Sequence, residues 1–258
     1  MAQQSVSQQL PRIRQITVDQ PWIWLTKGWH DLGTTPGVSL GYGALFSLFG
    51  LIIAGLTYTL GNLAWILPLS GGFLLLAPVL AVGLYEVSRH IARGEPVTMG
   101  TALLAWRHNL GQVAFMGVIL LLFLIAWTRL AFLLFMLFFS DQPIDPANFI
   151  HEVFFTPENW SFLVVGTLVG AILATLVFAI SAISIPMLID REVNVVVAMA
   201  TSVESVRKNF FPMVVWASLI VLFTGAGLLT FCLGLIVTLP LIAHATWHAY
   251  EDLVNGRS

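Results

Sequence analysis

Six stretches of this chain are long, apolar and almost free of charge. A helix needs about 20 mostly apolar residues to cross the hydrocarbon core of a bilayer. Backbone polar groups at that depth must be satisfied internally, which favours helices or a closed barrel. The first stretch runs about Val38–Leu60 and the second about Leu63–Val87. The third is about Gly111–Phe139 and the fourth about Phe162–Ile189. The last two share Phe211–Tyr250, with a turn expected near Gly225-Ala226-Gly227. The expected fold class is an all-α membrane protein, a six-transmembrane-helix bundle. A five-span chain ending in one long broken helix is the alternative.

Composition points the same way. Hydrophobic residues make up 58% and charged ones 9%, against roughly 25% charged in an ordinary soluble domain. So few polar side chains cannot cover a soluble protein of this length. That excludes a soluble enzyme, a disordered chain and a nucleic-acid binder. The one cysteine, Cys232, excludes an internal disulfide framework and a Cys-cluster metal site. The first twenty residues are polar, without the apolar core of a secretory signal or the Arg-rich pattern of a transit peptide. Residues 1–16 are expected to form a cytoplasmic tail, 17–250 one membrane domain, and 251–258 a second cytoplasmic tail.

The placement of charge orients the spans, because Lys and Arg collect in cytoplasmic segments near span ends. Arg12, Arg14 and Lys27 precede the first span, and Arg89, Arg93 and Arg107 lie between the second and third. Arg191, Arg207 and Lys208 lie between the fourth and fifth, and Arg257 closes the chain. Six spans put ten of the eleven basic residues on one side. The opposite loops near Gly61 and Gly225 carry no charge, and the middle one holds Asp141, Asp145, Glu152 and Glu158. Both termini are therefore expected in the cytoplasm, with the lipid bilayer as first partner.

Each basic segment also carries helical apolar spacing. Trp22, Leu25, Trp29 and Leu32 make the first instance, with Lys27, His30 and Asp31 on or near the other face. Met99, Leu103, Trp106 and Leu110 make the second, and Met199, Val203, Val206 and Phe210 the third. The last two match at a shift of one hundred, through Met99/Met199, Arg107/Arg207 and Asn109/Asn209. The chain thus reads as three units of surface helix plus transmembrane hairpin, about 17–90, 95–190 and 193–250. Two spans per unit give all three one orientation, about an axis along the membrane normal. Trp22, Trp24, Trp29 and Trp106 are the expected interfacial anchors, since an indole ring suits headgroup depth.

Polar residues in or beside the spans are the candidate functional groups. Arg129 lies within the third span, where a buried charge is costly and functional by default. Its place, roughly 27 Å along the helix from Gly111, suits pairing or snorkelling to the far interface. Glu86 and Asp190 end the second and fourth spans, where they line a vestibule or pair with Arg89 and Arg191. His244 and His248 are four apart on one face of the last span. Such a pair suits a metal or haem, but no acid or Cys stands at zinc-site spacing, and interfacial histidines held by neighbouring groups are the plainer reading. His30, His90, His108 and His151 lie in surface segments. Pro78, Pro186 and Pro240 sit in or near the even-numbered spans, as kinks around a cavity or as packing devices. Gly166-x-x-x-Gly170 permits close helix approach. No nucleotide-binding, hydrolase or zinc-protease motif is present, so no cofactor or metal is expected.

The stretch Trp22-Ile-Trp-Leu through Gly28-Trp29-His-Asp31-Leu and the stretch Pro36-Gly-Val-Ser-Leu-Gly-Tyr-Gly43 carry a resemblance. So do Gly71-Gly-Phe-Leu-Leu-Leu-Ala-Pro78 through Gly83-Leu-Tyr-Glu86, and Ala126-Trp127-Thr-Arg129-Leu. Together they resemble a bacterial family of predicted integral membrane proteins catalogued as a domain of unknown function (number 2189), over nearly the whole chain. The resemblance implies a bacterial inner (plasma) membrane protein and carries no activity, substrate or site residue.

A non-enzymatic scaffold, assembly factor or accessory subunit is the leading expectation, with another membrane protein or a second copy as partner. A small-solute or lipid transporter built on three parallel repeats is the alternative. A membrane enzyme comes third, because no catalytic constellation supports it.

Overall fold

The computed structural model describes residues 11–61, 65–107, 109–140 and 149–255. The expectations for residues 1–10, His108, Asp141, Asp145 and Arg257 lie outside them. All regular structure among the described residues is helical. Helix α1 (Gln20–Thr34) starts on Pro21 and meets α2 (Pro36–Thr59), which starts on Pro36. Proline suits both first turns, where its missing N–H leaves no bond unmade. Then come α3 (Ile66–Leu80), α4 (Val82–Arg93), α5 (Met99–Leu103) and α6 (Leu110–Phe139). Helices α7 (Phe149–Phe155), α8 (Trp160–Ser181), α9 (Ser184–Asp190) and α10 (Val195–Lys208) follow. The chain closes with α11 (Phe210–Leu229) and α12 (Leu235–Tyr250), the latter running into a π turn at Glu251–Asn255.

Five passages are long and apolar enough to cross a membrane: Pro36–Thr59, Ile66–Arg93, Leu110–Phe139, Pro157–Asp190 and Phe210–Leu229. The sixth apolar stretch forms α12, whose 16 residues give roughly 24 Å of helix. It lies largely inside the protein rather than against lipid. The turn before it falls at residues 230–234, not at Gly225-Ala226-Gly227, which are helical. Phe231 and Cys232 make that turn with left-handed backbone, at φ 53° and 64°, a conformation strained for side chains with a Cβ.

Two of the passages are broken, and side chains repair both breaks. Pro78 sits two residues before α3 ends, and the freed carbonyl of Leu80 accepts a 2.8 Å bond from Tyr42 Oη on α2. Between α8 and α9, just before Pro186, the freed N–H of Ile183 donates to Ser202 Oγ on α10. Proline-related breaks survive in an apolar setting only where neighbours satisfy the backbone in this way. Pro240 lies inside α12.

Burial is concentrated at one end, here termed the head. Residues 82–89 and 183–189 are all buried there, together with most of α12. Segments far apart in the chain meet in this head, where Arg14 N donates to Leu253 O at 3.0 Å. Helix α12 packs on α1, α2, α4 and α11. It comes so close to α1 that a Cβ at Gly28 would lie 2.7 Å from Ala245 N. On α2, a Cβ at Gly43 would run into Ile236 O of α12. Away from the head little is covered: only 6% of the most apolar windows of the α6 and α8 passages is buried.

The three segments read as surface helices differ from one another. Helices α1 and α10 are continuous over 15 and 14 residues. The middle one is not a single helix; α5 has five residues, and a 3₁₀ turn at Ala105–Arg107 follows. Of the Gly166/Gly170 pair, only Gly170 serves a helix–helix contact, between α8 and α6. Gly170 makes room for the Trp127 ring, and Gly166 faces open space.

Candidate functional site

The polar core of the head starts from α1, whose inward face is Pro21, Trp24, Leu25, Gly28, Asp31 and Leu32. Gly28 lets α1 lie against the backbone of α12, and this carries Asp31 inside, where it is 3% exposed. The sequence had placed Asp31 on the polar outer face. The outer face instead carries Trp22 and Trp29, two of the expected anchors, each 56% exposed. Trp24 departs from that expectation. It is fully buried, edge-on to Trp216, and its Nε1 donates to Asp252 Oδ2 at 3.2 Å. The apolar arc of α1 is wide enough for one side to face protein and the other to face outward.

Around Asp31 a continuous chain of hydrogen bonds ties four helices together. Ser88 on α4 donates to Asp31 Oδ2 at 2.7 Å, and His248 Nε2 reaches the same oxygen at 2.8 Å. His244 Nδ1 lies 2.7 Å from Ser88 Oγ, and its Nε2 lies 2.9 Å from Ser39 Oγ on α2. Ser39 in turn meets Thr35 Oγ1 at 3.1 Å. Burial alone would raise the Asp31 carboxyl. The bond and charge of His248, with Ser88 and His244 behind it, hold it below the ordinary carboxylate value.

An ionised Asp31 fixes the direction of the protons. A serine hydroxyl has one proton, so Ser88 gives it to Asp31 and receives the Nδ1–H of His244. His244 Nε2 is then the acceptor of the Ser39 hydroxyl. Ser88 is therefore not a serine activated by a histidine base, because the proton runs toward the carboxylate and the imidazole donates. The chain joins α1, α2, α4 and α12 through groups that satisfy one another.

A second polar cluster lies further along α4. Arg89 grips Glu86 with two bonds, Nε to Oε2 at 2.8 Å and Nη2 to Oε1 at 2.6 Å. His90 Nε2 reaches Glu86 Oε1 at 3.1 Å. Arg93 Nη2 donates to Asp190 Oδ1 at 3.1 Å, and Tyr250 Oη donates to Asp190 Oδ2 at 2.9 Å. Arg191 Nε donates to Tyr250 Oη. Glu86 and Asp190 thus sit in one ionic layer between the ends of α4, α9 and α12. His244 and His248 belong instead to the Asp31 chain.

Arg129 stands apart from both, exposed on α6. Trp106 is 42% exposed, with the Arg107 guanidinium 5.7 Å from its ring centroid. Among the described residues no group of three or more His, Cys, Asp or Glu side chains has the geometry of a metal site. Asp31, Ser88 and Ser39 are functional candidates that sequence reasoning passed over. The available signal was Gly28 three residues before Asp31, a small residue marking the side of α1 that approaches another backbone.

A family model described as "Predicted integral membrane protein (DUF2189)" matches residues 66–190. That stretch runs from α3 to the end of α9. It contains the Gly71–Glu86 and Ala126–Leu130 motifs but not those of α1 and α2, so it is narrower than the resemblance suggested. No curated protein and no solved structure matches the chain.

Proposed function

We propose that this integral membrane protein is a non-enzymatic scaffold, assembly or accessory subunit that holds other membrane components through its apolar helices. The observation that carries this reading is the contrast in burial. The charged groups of the head are engaged with one another, whereas the α6 and α8 passages leave nearly all of their most apolar windows uncovered. Surfaces of that kind take lipid, a second copy or another membrane protein as their neighbour. Affinity purification of the tagged full-length chain from native membranes in mild detergent tests it. A membrane protein or second copy recovered in fixed stoichiometry is expected. A monomer carrying lipid alone would overturn the reading.

In this reading the chain crosses a bacterial inner membrane six times with both termini in the cytoplasm, α12 being the short last passage. The meeting of Arg14 with Leu253, on one face of the bundle, supports an even number of passes. Two equivalent asparagines support three parallel units. Asn109, at the start of α6, donates from Nδ2 to the carbonyls of Leu188 and Val193. Asn209, at the start of α11, donates from Nδ2 to Arg14 O and accepts from Ile16 N at Oδ1. Each clamps the chain leading into another unit. Reporter fusions after Gly61 and after Gly94 are expected to light up in opposite compartments.

The transporter reading is favoured by one observation and only for an apolar cargo. The cavity between the hairpins is lined almost wholly by hydrocarbon, which suits a lipid and not an ion or polar solute.

A further inference from the structure

We propose that the groove between the three hairpins is a binding site for one acyl chain of an anionic phospholipid, drawn in sideways from the bilayer. The groove is a cavity of about 370 Å³ walled by α3, α8, α11 and α12. It exists because small side chains face one another across it, among them Ala77, Ala174, Ala217 and Ala243. Along α11 the lining runs from Phe210 to Thr224, and along α3 and α4 from Phe73 to Tyr85.

Those distances select the occupant. At the helical rise the lining extends over roughly 18–21 Å, the reach of one extended acyl tail. Water gains nothing in an apolar space without polar partners, and an empty void forfeits the dispersion contacts of its walls. The surrounding solvent is itself hydrocarbon. Lining residues Thr175 on α8 and Val214, Ser218 and Val221 on α11 are exposed, so the groove opens to that solvent between the two helices.

The polarity of the ends orients the lipid. At the head end the wall includes Tyr85, which is buried. Val206 and Phe210 also line this end; Arg207 and Lys208, between them in the chain, are exposed outside the cavity, Lys208 on the side of Arg12 and Arg14. Both cations share the single carboxylate of Glu204, at 2.9 and 3.5 Å, and both remain substantially exposed. The surface next to the head end therefore keeps a net positive charge, which would attract a phosphate headgroup bearing one negative charge. The acyl tail then runs along α11 toward Thr224.

The test uses full-length protein in phosphatidylcholine vesicles doped with phosphatidylglycerol that carries a photoreactive group near the end of one tail. After illumination the label is mapped by peptide mass spectrometry. Labelling is expected to concentrate on the groove segments of α3, α8 and α11 rather than on the equally lipid-exposed face of α6. In the double variant Ala174→Phe, Ala217→Phe the groove labelling should fall by about an order of magnitude while the protein melts no earlier than wild type. If that variant fails to fold, Ala217→Leu alone should lower labelling in part. Arg207→Glu with Lys208→Glu should lower labelling by phosphatidylglycerol several-fold and leave a phosphatidylcholine probe of the same tail unchanged. Even labelling of all lipid-facing helices, or wild-type labelling in the filled variants, would overturn the acyl site. Equal labelling by the two headgroups would overturn its anionic selectivity. Protection of the groove by a second copy or a partner protein would overturn it too, while supporting the scaffold reading.

Discussion

Helix α12 buries twelve of its sixteen residues, whereas α6 buries four of its thirty. Both are apolar, and both read from the sequence as membrane spans. Their side chains differ in size and kind. On α12 alanines and a glycine-lined approach bring backbones together, and His244 and His248 supply polar contacts to other helices. On α6 the exposed positions are large, with Phe115, Leu122, Leu133 and Leu137 among them. In a bilayer apolar burial does not by itself pull helices together, because lipid is as apolar as leucine. Association depends on close approach and polar bonding, which α12 has and most of α6 lacks.

Substitutions should therefore hurt in the head and pass unnoticed on the exposed faces of α6 and α8. The largest effect is expected for Asp31→Ala, which strands Ser88 and His248 in a buried site. Loss of one partner of a buried charged pair costs about 3–5 kcal/mol, and thermal unfolding in detergent should show a correspondingly lower midpoint. Next comes Gly43→Val, whose added atoms meet the α12 backbone at Ile236. Overpacking of that kind costs about 1–3 kcal/mol or more, while Gly55→Val, with open space around its Cβ, should melt like wild type.

Acidification should give a smaller, graded effect. Asp31 is held below the ordinary carboxylate value, so its contribution is fully present above that value and is lost as pH falls through the lower folded one. A pH series of unfolding midpoints should decline more steeply in the wild-type protein than in Asp31→Asn across that acid window. A parallel decline in both would separate acid sensitivity from Asp31. The smallest effect is expected at Leu168, 59% exposed on α8. Leu168→Ala should shift stability by no more than about 0.5 kcal/mol, and a larger loss would mean that a protein neighbour, not lipid, covers that face.

Much of the architecture was legible because hydropathy and charge act without regard to tertiary detail. The apolar runs set where helices lie, the prolines marked the breaks at Ala81 and Ala182, and the basic segments came together at one end. The polar site was far less legible. Asp31 looks like any charged residue on an amphipathic helix, and only the contact at Gly28 turns it inward. Trp24 and Trp22 are alike in sequence, yet one donates to Asp252 and the other faces out. Ser39, Ser88 and His244 stand 49 and 156 residues apart in turn, so no local spacing joins them.

The sequence by itself determined that this chain belongs in a membrane, in helices, with its cations gathered at one end. Those outcomes follow from the cost of exposing apolar surface to water and charge to lipid, which each segment meets alone. Tertiary structure decided which apolar helix is wrapped in protein, which carboxylate is buried with its histidine, and where facing alanines leave an open groove. These depend on distances between backbones far apart along the chain, set by side-chain volumes across each contact.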